Sequence, residues 1–306
     1  MRFVNSTAEL IGRTPMYEIR SYDLQNGVRL FAKLEFLNPG GSIKDRLGFY
    51  LLQQALDDGK IKVGDTIIEA TAGNTGVGLA LAAIHHKLHA IFITPEKFSM
   101  EKQTLMRALG AKVINTPTEL GMTGAIEKAE ELKRTIPNAY IPNQFANRWN
   151  PETYYHTLGP EIWNDLAGKV DVFVAGAGSG GTFTGTAKYL KERNPAVKTI
   201  IVEPEGSILN GGEPGSHKTE GIGMEFLPQF MDQTLFDDIY TISDEQAFAR
   251  LAEIARQEGL LVASSSGAAL EAALQEAKMA KPGTHIVTIF PDSSERYLST
   301  GIYEGV

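Results

Sequence analysis

The sequence predicts an α/β protein built from largely parallel sheets and divided into two lobes. Three observations predict this class. Short β-branched and apolar runs alternate with longer stretches that carry apolar residues at helical spacing, as in strand–helix–strand units. No repeat period, low-complexity tract or charged linker separates independent units. A turn-rich, polar and aromatic segment at residues 143–160, NQFANRWNPETYYHTLGP, marks the crossing between two lobes.

The individual elements follow this alternation along the chain. In the first half the predicted strands are VRLFAKLE, DTIIEA, HAIFIT and AKVINT, followed in turn by the helices SIKDRLGFYLLQQAL, NTGVGLALAAIHH, SMEKQTLMRALG and AIEKAEELKR. In the second half VDVFVAG precedes the helix TFTGTAKYLKE, and the strands KTIIVEP and HIVTIF come later. Because strands connected through helices lie parallel, we expect parallel sheets and a ligand in the cleft between the lobes.

Composition favours a globular protein that binds a small molecule. The chain has 306 residues, of which 42% are hydrophobic and 22% charged, so it can bury a sizeable core. Its formal net charge is 29 − 37 = −8, and it has no long basic run. This balance argues against nucleic acid or an anionic membrane as the main partner.

Metal, disulfide and membrane classes are disfavoured. The chain has no cysteine, which removes disulfides, thiolate metal sites and a cysteine nucleophile. His85 and His89 close the apolar run VGLALAAIHHKLHA, where cations complement a helix end, so no metal is expected there. The N-terminus lacks the apolar core of a secretory signal, and no apolar run approaches the roughly 18 residues of a membrane span. We therefore expect a cytoplasmic protein.

A lysine stands at the predicted start of the first long helix. Pro39, Gly40 and Gly41 form a turn in NPGGSIKDR, and helical spacing begins directly after it, so Lys44 falls in the first turn. The N–H groups of a helix start favour anions, so a cation there tends to lose its proton, and a neutral amine can attack a carbonyl. The pattern suits a Schiff-base lysine. The alternative is an ordinary surface lysine balanced by Asp45.

The glycine-rich turn GAGSGGT, residues 176–182, joins the strand VDVFVA to a helix. Glycines let backbone N–H groups approach an anion, so this turn can hold a phosphate. A dinucleotide fingerprint and a plain strand-to-helix turn are the alternatives. Glu203 lies near the distance of about 20 residues expected for a ribose-binding acid, although the position beyond mid-chain argues against a dinucleotide. A Walker-type loop is excluded, because no Gly-Lys-Ser/Thr follows.

Two further turns lead into helices. TAGNTG, residues 71–76, brings Thr71, Asn74 and Thr75 beside backbone donors, a set suited to a carboxylate or a ring oxygen. Helix capping by Thr71 or Asn74 is the alternative. SSSG, residues 264–267, has one serine for an N-cap and at least one hydroxyl left for a cleft, where a hydroxyl beside a heteroaromatic nitrogen keeps that nitrogen unprotonated.

In this order, NPGGSIKDR, EATAGNTG, GAGSGGT and ASSSG closely resemble the motifs of the pyridoxal-phosphate enzymes of the tryptophan synthase β-subunit fold. Within that group the chain looks like the cysteine synthase and cystathionine β-synthase family, and EKFSMEKQTLMRALGA resembles its short bacterial members that take O-acetylserine. The resemblance runs from LIGRTPM to FPDSSERYLSTGIY. It implies a two-lobed, three-layer αβα structure of fold type II, without the regulatory or haem segments of the animal enzymes, and a homodimer.

The resemblance also implies domain bounds and site residues. A large cofactor-binding domain would comprise residues 1–44 and 149–306, and a small mobile substrate domain residues 45–148. Lys44 would be the Schiff-base lysine of pyridoxal 5'-phosphate, Asn74 would bond the ring hydroxyl oxygen, and Ser265 would face the pyridine nitrogen. The cofactor phosphate would be held by Gly178, Ser179, Gly180, Gly181 and Thr182. The substrate α-carboxylate would be held by Thr71, Gly73, Asn74, Thr75 and Gln144.

The implied reaction is a β-replacement. The amino acid displaces Lys44, which removes the α-proton as general base, and loss of a β-leaving group gives an aminoacrylate to which a sulfur nucleophile adds. Ala72 stands where cysteine synthases usually carry serine. The segment GIGMEFLP, Gly221–Pro228, carries Glu225 where cysteine synthases commonly have a small residue and cystathionine β-synthases an acidic one. Gly221 and Glu225 are thus candidate substrate residues: a carboxylate there can receive the amino group of homocysteine, and a solvated loop charge is the alternative.

The leading hypothesis is an enzyme that joins homocysteine to the three-carbon unit of O-acetylserine or serine, giving cystathionine. Cysteine synthase activity with sulfide is the first alternative, and release of hydrogen sulfide from cysteine by β-elimination is the second. A non-catalytic binding protein on the same fold is a third. A dinucleotide-dependent oxidoreductase would leave Lys44 without a task.

Overall fold

The computed structural model describes residues 3–71 and 73–304. Ala72, and with it the departure noted in the TAGNTG turn, lies outside the described residues. The chain forms two compact units: Met1–Gly12 with Asn38–Trp149, and Arg13–Leu37 with Asn150–Val306. The passage from the first unit to the second at Trp149 falls inside the segment that the sequence indicates as the crossing.

The unit bounds differ from the domain bounds implied by the resemblance, because residues 1–12 and 38–44 group with 45–148. Local contacts explain this grouping. Ser6 Oγ lies 3.1 Å from His85 Nδ1, and the Gly12 N–H donates to Asn38 Oδ1 at 2.8 Å. The loop that ends at Lys44 also continues directly into the first helix of this unit.

The described residues contain the following regular elements. The strands are β1 (Met16–Ile19), β2 (Arg29–Leu34), β3 (Thr66–Ala70), β4 (His89–Pro95), β5 (Lys112–Thr116), β6 (Ala139–Tyr140), β7 (Val172–Gly176), β8 (Lys198–Pro204), β9 (Asp238–Ile242) and β10 (His285–Phe290). The α-helices are α1 (Lys44–Asp57), α2 (Asn74–His86), α3 (Met100–Ala108), α4 (Gly121–Thr135), α5 (Trp149–His156), α6 (Leu158–Asp165), α7 (Gly181–Arg193), α8 (Asp244–Glu258) and α9 (Ser264–Met279).

Each unit is built on one sheet. The first unit has four parallel strands in the order β5-β4-β3-β6. The second has six in the order β1-β2-β10-β7-β8-β9, in which β1 runs antiparallel to β2 and the other described pairings are parallel. The prediction of an α/β protein with largely parallel sheets is confirmed.

Helices cover both faces of each sheet, so the three-layer arrangement is confirmed too. In the first unit, Ile67 packs in one cluster with Leu79 of α2, whereas its neighbour Ile68 packs in another with Ala125 of α4. Successive strand residues point to opposite faces, so β3 is buried on both. In the second unit β7 does the same with the helices α9 and α7. No helix of the described residues is long and apolar enough to cross a membrane.

The sequence missed the short elements β1, β6 and β9 and the helices α5, α6 and α8. The strands β1 and β9 are the two edges of their sheet and are only partly buried, so their apolar signal is weak. The helix α5 begins inside the segment that reads as turns. Its Pro151 stands in the first turn, where a missing N–H costs nothing because that group has no partner within the helix.

Helices α1 and α2 cross at a point where a glycine in each helix lets its backbone contact the backbone of the other. A Cβ atom placed on Gly48 would lie 2.4 Å from the carbonyl carbon and oxygen of Gly78, and one placed on Gly78 would lie 2.3 Å from the Lys44 carbonyl oxygen. No side chain fits between the two helices there. This crossing fixes the starts of both helices relative to each other.

We predict that Gly48→Ala lowers the free energy of unfolding by about 1 to 3 kcal/mol, the usual cost of overpacking a dense interface. The obstacle is backbone, which cannot swing aside as a side chain can. Urea titration checks this, with Gln53→Ala on the exposed side of α1 as the matched control. Equal stabilities for the two variants would contradict the packing described.

Candidate active site

Lys44 is the first residue of α1, which confirms its predicted place in the first turn. Its backbone N–H donates to Ser42 Oγ at 3.2 Å, and its side chain is half-buried rather than exposed. Asp45 is fully buried, and its Oδ2 accepts the Gly40 N–H at 2.5 Å. Asp45 therefore stabilises the turn that leads into the helix, and Lys44 does not fit the description of an ordinary surface lysine.

The TAGNTG turn connects β3 to α2 in the same unit. The N-cap of α2 is Gly73, and the helix begins at Asn74, so the alternative in which Thr71 or Asn74 is the cap is wrong. Thr71 is buried, and its Oγ1 accepts the Gly73 N–H at 3.3 Å. A Cβ built on Gly73 would meet nothing within 4 Å among the described residues. The turn thus presents a helix start with open space beside it, as binding of a carboxylate requires.

Gln144 lies beside this turn. Thr75 Oγ1 donates to Gln144 Oε1 at 2.9 Å, and both side chains are buried. Three of the side chains assigned to the substrate carboxylate by resemblance, those of Thr71, Thr75 and Gln144, are therefore concentrated around the start of α2.

Glu69, which was not predicted from the sequence as a site residue, contacts the backbone of Gln144. Glu69 Oε2 accepts the Asn143 N–H at 2.9 Å, and its Oε1 accepts the Gln144 N–H at 3.4 Å. Burial raises the pKa of Glu69 to about 7, against the opposing effect of these two backbone hydrogen bonds. The signal for this residue was present in the sequence as an acid that directly follows the two isoleucines of the strand DTIIEA.

The turn assigned to the phosphate lies in the second unit, between β7 and α7. The helix α7 begins at Gly181, and its N-cap Gly180 has φ of +80° and makes no side-chain cap bond. A Cβ on Gly178 would lie 2.3 Å from the Gly221 carbonyl oxygen. Glycine is therefore required at position 178, and the turn leads directly into the start of α7, where an anion such as the cofactor phosphate can bind.

Asn150 contacts this turn and was not among the residues predicted from the sequence. It is fully buried, its Nδ2 donates to Ser179 Oγ at 3.1 Å, and its Oδ1 is 1.9 Å from the position of a Cβ on Gly181. Only glycine leaves room for the amide at that place. Asn150 thereby fixes both Ser179 and the first residue of α7.

Ser265 fits a ligand nitrogen. The N-cap of α9 is Ala263 and the helix begins at Ser264, so none of the three serines is the N-cap. Ser264 Oγ accepts the Glu220 N–H at 3.1 Å. Ser265 is 2% exposed, and its Oγ has no hydrogen-bond partner within the described residues. Because buried hydroxyls normally have a partner, this atom fits a site completed by a bound group.

The segment that contains Gly221 is fastened beside Ser265. The Gly221 Cβ position lies 3.9 Å from Ser265 Oγ, and the Gly223 N–H donates to the Ala177 carbonyl at 2.9 Å. The Met224 N–H donates to the buried Ser207 Oγ at 2.9 Å. Glu225 follows this anchored stretch.

Before the segment, Asp244 accepts the backbone N–H groups of Lys218 and Thr219 and the Thr219 hydroxyl. Burial favours the neutral acid, but these hydrogen bonds outweigh it and hold the pKa of Asp244 below its ordinary value. The carboxylate thus holds the chain two and three residues before Gly221. Glu225 itself is exposed, which is compatible both with a contact to substrate and with a solvated charge.

No group of three acidic or histidine side chains suited to a metal occurs among the described residues. His85 lies in the last turn of α2, whereas His89 begins β4. The two do not share a helix face.

The fold and the comparisons with known proteins define a pyridoxal-phosphate enzyme of the α/β, three-layer type. The model of the family described as pyridoxal-phosphate dependent enzyme matches residues 7–292, and the chain belongs to this family. The chain is 62% identical, over 100% of its length and 99% of the relative's, to the O-acetylserine dependent cystathionine beta-synthase of Bacillus subtilis. It is 56% identical to a cysteine synthase of Helicobacter pylori, covering 99% and 100% of the two chains.

Solved structures give the same fold. An O-acetylserine dependent cystathionine beta-synthase from Helicobacter pylori superposes with a TM-score of 0.95 at 56% identity, covering 99% of this chain and 100% of that one. A hydrogen sulfide-producing enzyme from Fusobacterium nucleatum gives 0.92 at 42% identity, covering 96% and 100%. The chain is therefore a β-replacement enzyme of the cystathionine β-synthase and cysteine synthase type, and the names of its relatives state different products.

We predict that Asn150→Ala raises the dissociation constant for pyridoxal phosphate by about tenfold, because the loss of one buried hydrogen bond costs roughly 1 to 3 kcal/mol. The phosphate turn would lose the support of Ser179 and of the α7 start. Equilibrium dialysis followed by absorbance of the bound cofactor checks this. Asn164→Ala, at an exposed position on α6, is the control, and an unchanged constant in Asn150→Ala would contradict the assignment.

Glu69 gives a prediction for pH. Its folded-state pKa of about 7 lies above the value of about 4.3 expected for the unfolded chain. Between these two values the folded protein binds the proton more tightly, so stability from this group is present at low pH and is lost as the pH rises through about 7. From about pH 5 to pH 8 the stability of the wild type relative to Glu69→Gln should fall by about 2 to 3 kcal/mol. Urea titrations at several pH values check this, and a constant difference would contradict the raised pKa.

Proposed function

We propose that this enzyme condenses O-acetylserine, or serine, with homocysteine to give cystathionine. The bond between Cβ and the oxygen of the leaving group breaks, and a bond between Cβ and the homocysteine sulfur forms. From O-acetylserine the leaving group departs as acetate, and the proton released by the thiol balances the charge of this anion. From serine the hydroxyl group takes that proton and departs as water. The proton removed from Cα is returned at the end.

The observation that carries the proposal is the place of Glu225. It is an exposed carboxylate within the same segment as Gly221, which lies beside Ser265 Oγ. Anchoring of Gly223 and Met224 by hydrogen bonds fixes where Glu225 leaves the backbone. Homocysteine has an ammonium group that a carboxylate attracts, and sulfide has none. The name of the Bacillus subtilis relative gives cystathionine as the product, the compound that homocysteine would form here.

The residues present fit pyridoxal phosphate. The turn of residues 178–182 would hold the phosphate at the start of α7, Ser265 Oγ would meet the pyridine nitrogen, and Asn74 would bond the ring hydroxyl oxygen. Lys44 would hold the cofactor covalently through its amine. When bound, the cofactor supplies an electron sink that stabilises negative charge at the substrate Cα.

The protein's own groups then bind the substrate and move its proton. The N–H groups at the start of α2, with Thr71, Thr75 and Gln144, would bind the α-carboxylate and so orient Cα. Lys44 Nζ would take the Cα proton and give it back. Its amine is suited to this role because a helix start disfavours an ammonium and so favours the neutral base.

Cysteine synthase activity is the second candidate. The Helicobacter pylori relative at 56% identity is named cysteine synthase, and the Fusobacterium nucleatum structure is of a hydrogen sulfide-producing enzyme. Both reactions share the donor half of the mechanism. Cysteine synthesis differs from the proposal only in the nucleophile that attacks Cβ, whereas release of hydrogen sulfide from cysteine breaks the bond between Cβ and sulfur and adds no nucleophile there.

We predict that the protein with pyridoxal phosphate and O-acetylserine, offered homocysteine and sulfide together, forms mainly cystathionine, measured by mass spectrometry. Lys44→Ala should form neither product and gives the background. Predominant cysteine would overturn the proposal and favour cysteine synthase.

When each nucleophile is offered alone, Glu225→Gln should raise the KM for homocysteine by about two- to fivefold, because an exposed ion pair contributes at most about 1 kcal/mol. The KM for sulfide should not change. Glu213→Gln, another exposed acid of the second unit, is the matched control. Equal effects on both nucleophiles would remove Glu225 from the homocysteine site.

A further inference from the structure

Glu69 is a buried acid to which the proposed reaction gives no role. It lies on β3, two residues before Thr71, and is 4% exposed. An ionised carboxylate at such a depth is costly unless hydrogen bonds satisfy it. Its retention in an otherwise apolar strand therefore requires a specific partner.

The partner is the chain that leaves β6. The strand β6 has only two residues, and its parallel pairing with β3 ends at the pair Ile67 and Tyr140. Beyond that pair, the N–H groups of Asn143 and Gln144 donate to the Glu69 carboxylate instead of to backbone carbonyls of a neighbouring strand. One side chain thus continues the contact between the two strands.

The backbone held in this way is in an uncommon conformation. Asn143 has φ of +51°, a left-handed conformation that asparagine adopts more readily than other non-glycine residues. The two hydrogen bonds that the carboxylate accepts hold the backbone in this conformation. They also determine the direction in which the next residue, Gln144, leaves the chain.

The Gln144 side chain is oriented at its other end by Thr75, whose hydroxyl donates to Oε1 at 2.9 Å. With the amide oxygen engaged by Thr75, the amide nitrogen is the donor that a carboxylate can use. Glu69 fixes the backbone of Gln144 and Thr75 fixes its tip. Both lie within the same unit.

We propose that Glu69 is a positioning residue that holds Gln144 in place to bind the α-carboxylate of the amino-acid donor. This inference rests on the proposed function in one respect, the role of Gln144. Burial raises the pKa of Glu69. This direction agrees with a carboxylate whose described partners are backbone amides, which carry no positive charge.

Glu69→Gln tests the proposal with little change in volume. The amide cannot accept both N–H groups, because one of its ends is an NH2 donor. At about pH 8, where Glu69 is ionised, the KM for O-acetylserine should rise about tenfold with kcat changed less than twofold, as expected when uniform binding is lost. The KM for the thiol should stay unchanged. No change in the KM for O-acetylserine, or an equal loss in kcat, would overturn the proposal.

Glu258→Gln is the matched control. Glu258 Oε1 also accepts two successive backbone N–H groups, those of Arg20 and Ser21, at 2.8 and 2.7 Å. It lies at the end of α8 in the other unit. If loss of such a contact acts only through stability, both variants should behave alike, and that result would also overturn the proposal.

A double-mutant cycle separates positioning from a general effect. Gln144→Ala should raise the KM for O-acetylserine by a similar factor, and Glu69→Gln should add less than twofold in the Gln144→Ala background. Factors that multiply would show that Glu69 acts by another route. If Glu69→Gln does not fold, Glu69→Asp, which keeps the charge but shortens its reach, is measured in the same cycle with the same criteria.

The readout also separates this proposal from the choice of nucleophile. The KM for O-acetylserine can be measured with homocysteine or with sulfide. If cysteine is the main product, the proposed function fails while the effect of Glu69→Gln on the donor remains. If cystathionine is the main product and the donor KM is unchanged in Glu69→Gln, only the role of Glu69 fails.

Discussion

The first unit depends on the contact between α1 and α2 at two glycines. Because Gly48 and Gly78 leave no room for a side chain, the two helices approach backbone to backbone, and the carbonyl of Lys44 lies against Gly78. Close-packed interiors transmit displacement instead of absorbing it. The start of α1 with its lysine and the start of α2 with its open turn are therefore fixed relative to each other by main chain, not by flexible side chains.

In the second unit, side chains next to the glycine turn hold it in place, rather than a contact between two helix backbones. Neighbouring groups pack against this glycine turn at the start of α7, and the Asn150 amide donates to Ser179. Ser264 Oγ accepts the N–H of Glu220, the residue before Gly221. A turn that must leave its own N–H groups to an anion cannot use them for self-support. Buried side chains such as Asn150 supply that support.

Much of the fold could be read from the sequence, because strands buried on both faces and their following helices give strong patterns. α2, β8 and β10 begin and end where the spacing places them. The edge strands were missed because half-buried residues dilute the apolar signal, and α5 was missed because polar and aromatic residues with a proline resemble a loop. In both cases tertiary contacts, which a single sequence does not display, decide the conformation.

Candidate site residues that belong to a recognisable motif could be predicted from the sequence. Residues that only hold other site residues in place could not. Lys44 and the glycine turn are recognisable by residue type and order, whereas Glu69 and Asn150 act through backbone or through another side chain, so their role appears only in three dimensions. The same distinction bears on nucleophile choice. Glu225 is exposed, so its attraction for an ammonium is worth at most about 1 kcal/mol, or roughly a factor of five. Burial of the two methylene groups of homocysteine, at about 0.8 kcal/mol each, would contribute more to discrimination from sulfide than this charge does.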